Sequence, residues 1–357
     1  MFIKDILNRA NSKWMEGTGP ESDVVISCRV RLARNLAGVP CPHLLNEEQG
    51  RQVVKRVVDA IAHKEVEKIV GHLEAVALSE LSALDRQILV EKHLISPQHA
   101  EAATQSRAVV LREDEAVSIL VNEEDHLRIQ CLFPGFQLNV AWDLANRVDD
   151  VLEKRLDFAF DEKYGYLTAC PTNVGTGMRA SVMMHLPGLV ITNQANRVLS
   201  ALSQLGLAVR GLYGEGTEAA GNLFQISNQI TLGLTEEEII NNLTAVTHKI
   251  LEQERMAREL LRTQTKEQLE DRVGRAFGIL TNARIITSQE AISYLSDVRL
   301  GADLGIIRGV DTRILNELIV LTRPNFLQKL AGHEMSPFAR DLKRASIIRE
   351  KLAPSKG

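Results

Sequence analysis

The stretch "VSILVNEEDHLRIQCLF", residues 117–133, carries an apolar β pattern into three consecutive acids, a histidine and an arginine. The run reads as β structure, with the carboxylates at the end of the apolar segment. Alternation along a strand puts Glu124 and His126 on one face and Glu123 and Asp125 on the other. Carboxylates there suit a metal, general-base chemistry or a cationic substrate.

Working outward, β signals dominate from Val24 to Ile230: "VVISCRVRLARNL", "AVVL", "YGYLTACPTN", "ASVMMHLP", "LAVRGLYGEG" and "NLFQISNQI". Helical periodicity falls between them at 47–69, 78–91, 141–157 and 194–203. Strands outnumber helices and several adjoin, so an antiparallel or mixed sheet flanked by helices fits better than a βαβ alternation. After Leu234 the pattern turns helical. Thr235 and the acids at 236–238 start a helix whose apolar face breaks at "EQER", 252–255, and further helical patterns follow near 256–280, 288–298, 311–322, 324–331 and 337–352. The expectation is an α+β domain over 1–258 and an all-α domain over 259–357.

The 357 residues are 45% hydrophobic and 25% charged with a net charge of -4, as expected of a water-soluble chain large enough for two domains. No basic excess points to nucleic acid, and no apolar run is long enough for a bilayer. "MFIKDILNRANSKW" lacks the features of a signal peptide, so the cytoplasm is expected. Cys28, Cys41, Cys131 and Cys170 form no CxxC pair, and no zinc site or disulfide framework is indicated.

Arginines recur at strand ends: Arg29 and Arg31 in "SCRVRLAR", Arg128, Arg179 in "CPTNVGTGMRAS", and Arg210 in "VRGLYGEG". Arg29 and Arg31 share a face and can converge on one anion. Taken together, the five would form a polyphosphate cradle, because the guanidinium fork donates bidentately and stays charged. Neither a Walker motif nor a dinucleotide-binding glycine fingerprint is present. Glu215 lies in a glycine-rich segment five residues beyond Arg210, where a loop can close over a ligand.

"NEEDHLRI", "CPTNVGT" followed by Arg179 and "ASV", and "RG..GE" followed by "TEAAG" and "FQISN" together resemble the phosphagen (guanidino) kinases, and within that family the bacterial protein-arginine kinases. The resemblance covers Val24 to Glu254 and implies an antiparallel sheet flanked by helices. It implies ATP and Mg²⁺ as cofactors, with Arg29, Arg31, Arg128, Arg179 and Arg210 on the phosphates. It also places Ser27, Cys28, Val30, His93, His126, Ala180, Ser181, Val182 and Met183 at the nucleotide, with Met183 standing where the family usually has histidine. Glu124 and Glu215 match the two carboxylates that hold the guanidinium, and Cys170 the thiol beside it. Two carboxylates suit a guanidinium because its delocalised lone pair makes a poor nucleophile until it is oriented and relieved of a proton. No protein ligand for a metal is assigned.

Only 28 residues precede Arg29, where small-molecule guanidino kinases carry a helical domain that closes on the substrate. An open pocket that admits an arginine side chain of a protein is therefore expected. The alternatives are a kinase for free arginine and a non-catalytic phosphoarginine-binding regulator. In "SPFARDLKRAS", 336–346, Ser336 and Pro337 read as N-cap and N1, with Arg340 and Arg344 four apart. "RDLKRA" resembles the RDxxRA motif of the protein-arginine kinases, which implies an allosteric phosphoarginine site at Arg340, Asp341, Arg344 and Ala345. The resemblance further implies a zinc-binding activator, a stress-response repressor and a Clp-type protease as partners. "LNELIVL", 315–321, is a candidate core or self-association face.

Overall fold

A computed structural model describes residues 2–101, 104–211 and 220–353. Its centre is an eight-stranded antiparallel sheet in the order β2-β3-β4-β5-β1-β8-β10-β9. The strands are β1 (Val25–Arg34), β2 (Leu73–Ala77), β3 (Ala108–Arg112), β4 (Val117–Val121), β5 (Leu127–Pro134), β8 (Met178–His185), β9 (Leu207–Gly211) and β10 (Leu223–Asn228). β6 (Phe160–Asp161) and β7 (Gly165–Tyr166) form a separate small hairpin.

"YGYLTACPTN", expected as a strand, is mostly loop. Gly165 and Gly175 have φ of +76° and +108°, and a Cβ on Gly165 would sit 2.5 Å from the Gly175 carbonyl oxygen. The chain folds back on itself there because both residues lack side chains. β2 was absent from the sequence reading, since "LEAVA" is a short run wedged between helical segments.

Helices cover both faces of the sheet. α2 (Glu47–Ile61), α3 (Lys64–Val70), α6 (Leu138–Glu153) and α8 (Ala195–Ser203) pack on one face, around Cys28, Val30, Ile129, Ala180 and Val182. The other face buries Ile26, Leu111, Leu120 and Leu132 against α1 (Ile3–Asn8), Trp14, α4 (Ala83–Glu91) and the C-terminal helices. α5 (Pro97–Glu101) and α7 (Pro187–Ile191) are short connectors. The helical pattern at 47–69 resolves into two helices because α2 ends at Ala62 and His63 caps α3.

α9 (Glu236–Gln264) starts with the capping box of Thr235 and Glu238 and runs unbroken through 258. The charges at 252–255 that interrupt its apolar face include Glu254, which is fully buried and paired with Arg258 at 2.7 Å. The next helix, α10 (Lys266–Asn282), begins beyond Thr265. α11 (Ser288–Asp303), α12 (Thr312–Leu321), α13 (Pro324–Ala331) and α14 (Pro337–Leu352) complete the chain. "LNELIVL" is core: Leu315, Leu318 and Val320 of α12 are buried with Trp14 and Phe326. No helix among the described residues is long and apolar enough to cross a membrane.

Candidate active site

Strand register gathers the arginines. Across the ladders Arg29 is opposite Leu132 and Ser181, Arg31 opposite Gln130 and Arg179, and Arg128 opposite Ala33. Arg29, Arg31, Arg128, Arg179 and Arg210 all line one cleft of about 1120 Å³. Arg29 donates to Gln225 Oε1 at 2.9 Å, while the buried Nε of Arg31 has no hydrogen-bond partner. Burial, reinforced by Arg128 and Arg179, pulls the Arg29 guanidinium down to about 10. Arg31 falls well below its ordinary value through burial and the same crowding, with Glu123 opposing. Arg179 is lowered by burial and then by Arg210 and Arg128. Cations that destabilise one another at close quarters favour a multivalent anion between them.

At the other end of the cleft, 122–126 is a turn between β4 and β5, so strand alternation does not govern its side chains. Asn122 adopts φ +58° and donates its N–H to the His126 carbonyl at 2.9 Å. Its amide group also donates to the carbonyls of Gly50 and Ser106. Glu124 is 43% exposed at the cleft and pairs with Arg128 at 3.0 Å. Glu123, expected on the opposite face, also enters the cleft, with its side chain only 6% exposed. It pairs with Arg128 at 2.5 Å and accepts from the Ser96 hydroxyl. Asp125 is buried, accepting from Asn35 Nδ2 at 2.7 Å and from the Ala169 N–H at 2.6 Å, which ties the turn to the Cys170 segment. Cys170 is partly exposed, its Sγ 3.0 Å from Thr172 Oγ1, and both it and Glu124 bear electrostatically on Arg179. Glu215 lies outside the described residues.

Several residues assigned to the nucleotide face elsewhere. Both ring nitrogens of the buried His126 are engaged, Nδ1 accepting from the Leu36 N–H at 3.0 Å and Nε2 lying 2.9 Å from the Pro40 carbonyl. His126 thus fixes the loop after β1 and does not line the cleft. Cys28, Val30, Ala180 and Val182 point into the core on the opposite face, as alternation with Arg29, Arg31 and Ser181 requires. Ser27, Ser181 and Met183 do lie on the cleft side, in a hollow with Trp14, Arg29, His93 and Gln225. His93 takes φ +61°, packs edge-on to Trp14 at 5.4 Å and is held down to about 3 by burial, then by Arg29 and Arg323. Glu91, Ser96, Arg107, Gln225, Arg323 and Asn325 also line the cleft. They come from four separate stretches of the chain with no local motif, so only the tertiary fold reveals them.

On α14, Ser336 caps the helix by accepting from the Ala339 N–H, with Pro337 at N1. Arg344 is 1% exposed. Its Nε donates to the Thr322 carbonyl at 2.8 Å, and its Nη1 donates to the Ile286 carbonyl at 2.9 Å and to Asp341. Ala345 is buried beside it, and Arg340 is partly exposed. Of the two arginines four apart, Arg340 is partly exposed and Arg344 is buried, stapling α14 to its neighbours.

Residues 52–257 match the family model described as the ATP:guanido phosphotransferase C-terminal catalytic domain, and 266–357 match the protein-arginine kinase McsB C-terminal domain. A protein-arginine kinase of Moorella thermoacetica is 64% identical over 96% of this chain and 98% of its own. One from Pelotomaculum thermopropionicum is 60% identical over 99% of both chains. Among solved structures, the duplicated taurocyamine kinase from Schistosoma mansoni superposes with a TM-score of 0.59 at 27% identity, covering 67% of this chain and 34% of that one. With the cation cleft, the carboxylate turn and these matches in agreement, the chain belongs to the ATP:guanido phosphotransferase family, in its protein-arginine kinase branch.

Proposed function

We propose that this enzyme transfers the γ-phosphoryl group of Mg-ATP to the guanidinium of arginine side chains in proteins. The observation that carries the reading is the single cleft in which five arginines face the carboxylate turn of Glu123 and Glu124. Arg29, Arg31, Arg128, Arg179 and Arg210 bind and neutralise the triphosphate, where positioning and electrostatics supply most of the catalysis. The orphaned Nε of Arg31 fits an incoming phosphate oxygen. By resemblance, the Mg²⁺ ion would be carried in on the nucleotide phosphates. Bound there, the ion supplies further charge neutralisation.

Glu124, with Glu215 as the second carboxylate that the family resemblance implies, orients the guanidinium and accepts its proton. One terminal nitrogen bonds to the γ-phosphorus as the bond from phosphorus to the ADP oxygen breaks. Cys170 assists from beside the guanidinium. By resemblance alone, the modification marks proteins for degradation in a stress response, and phosphoarginine returns to Arg340 and Asp341 as an allosteric signal. Incubation with Mg-ATP and an unfolded protein should give an acid-labile, base-stable phosphate on arginine, read by mass spectrometry under conditions that keep the N–P bond. Glu124→Gln should slow that transfer by about 10²–10⁴-fold. Full activity in Glu124→Gln, or faster turnover on free arginine than on protein, would falsify the proposal.

A further inference from the structure

The cleft has a wall that the arginine motifs do not announce. Arg323, the N-cap of α13, and Asn325, in its first turn, line it together with Glu91 and His93. The same surroundings place Arg323 at one particular end. It acts electrostatically on His93 jointly with Arg29, and on Glu91, whereas Glu124 sits at the end of Arg128 and Arg179. The backbone of Arg323 is fixed from both sides. On its C-terminal side Glu91 accepts the N–H groups of Asn325 and Phe326 at 3.0 and 2.9 Å. On its N-terminal side the Thr322 carbonyl accepts from Arg344 Nε at 2.8 Å.

We infer that Arg323 is a nucleotide-binding residue that the C-terminal helices supply to the catalytic cleft, contacting the phosphate chain, and that Arg344 is its positioning residue. The inference rests on the reading of the cleft as the Mg-ATP site. A sixth cation lining the same cleft adds to the charge that the five sheet arginines offer a polyanion, and a backbone held at both flanks presents the guanidinium at little entropic cost. It also gives the buried arginine of "RDLKRA" a task at the active site. Any ligand that draws Asp341 away from Arg344 alters the hold on Thr322 and hence the aim of Arg323.

The test is calorimetric titration of the full chain with Mg-ADP, beside KM values for Mg-ATP and for a protein substrate. In Arg323→Ala the nucleotide should bind about tenfold more weakly, the loss of one charge-assisted contact, with the KM for protein and the melting temperature unchanged. Arg323→Lys keeps the charge and the fold but not the fork, and should fall between; it carries the comparison if the alanine variant melts early. Arg344→Lys should weaken nucleotide binding in the same direction without touching the nucleotide itself. Wild-type affinity for Mg-ADP in both Arg323 variants, or an effect confined to the KM for protein, overturns the inference. Failure of the unmodified chain to bind Mg-ADP instead overturns the reading of the cleft.

Discussion

At the scale of single residues, Glu123 differs most from what its neighbours suggest. It is nearly enclosed and holds Arg128 through Nη1, while Glu124 takes Nη2. If Glu123 is neutralised, Arg128 keeps one anionic partner and draws Glu124 toward itself, away from the substrate guanidinium. Glu123→Gln is therefore expected to lower kcat on protein arginine by about 10–100-fold, the worth of a charged hydrogen bond. Nucleotide affinity should change little. Steady-state kinetics at saturating Mg-ATP check this, and an unchanged kcat would show that Glu123 only fills space. That Arg29, Arg31 and Arg128 line one cleft was legible because each sits on a strand whose alternation the sequence spells out. The faces that alternation assigns to Glu123 and His126 differ from those observed because Asn122 takes a left-handed conformation that converts a strand into a turn. Nothing local in "NEEDH" announces that change.

At the scale of elements, the charged break in α9 is a junction. Glu254 accepts the N–H groups of Gly188 and Leu189 at the start of α7, both at 2.9 Å, while pairing with Arg258. Arg258 in turn donates to the carbonyls of Asp23 and His185. Removing the carboxylate leaves Arg258 to its longer pair with Asp303 at 3.6 Å and strands two buried amides. Glu254→Ala should cost about 3–5 kcal/mol in denaturant unfolding. A loss below roughly 1 kcal/mol, the worth of an exposed pair, would mean that water reaches the site. Periodicity predicted most helices because packing and propensity agreed in them. Here a polar run read as the end of a face, since pattern alone cannot distinguish a solvated charge from one buried with its partner.

At the scale of the whole molecule, the C-terminal helices are one of the two layers that enclose the sheet. Their core is continuous with Ile26, Leu111 and Leu132 of the sheet and with Trp14 of the N-terminal segment. A chain ending at Gln264 would expose that surface, and burial of apolar area is the main stabilising term. Such a chain should aggregate and lose its cooperative melting transition in scanning calorimetry. A monodisperse species with a sharp transition would instead make the catalytic half self-sufficient. The two-layer plan could be anticipated from alternating strands and helical periodicities. That the second layer also builds the cleft wall depends on contacts such as that between Glu91 and Asn325, more than two hundred positions apart in sequence.

The distribution of thiols over the two sides of the sheet also has a practical consequence. Cys28 and Cys131 are sealed in the core and pushed up to about 12 by burial, and burial raises Cys41 as well. Cys170 is partly exposed. Near pH 8 an aromatic disulfide reagent should therefore modify Cys170 first and leave Cys28 and Cys131 silent until the chain unfolds. Equal rates at all four would contradict the burial pattern. Under the function proposed above, a peptide arginine seated beside Cys170 should slow its modification but not that of the likewise partly exposed Cys41, giving a chromogenic gauge of occupancy with an internal reference.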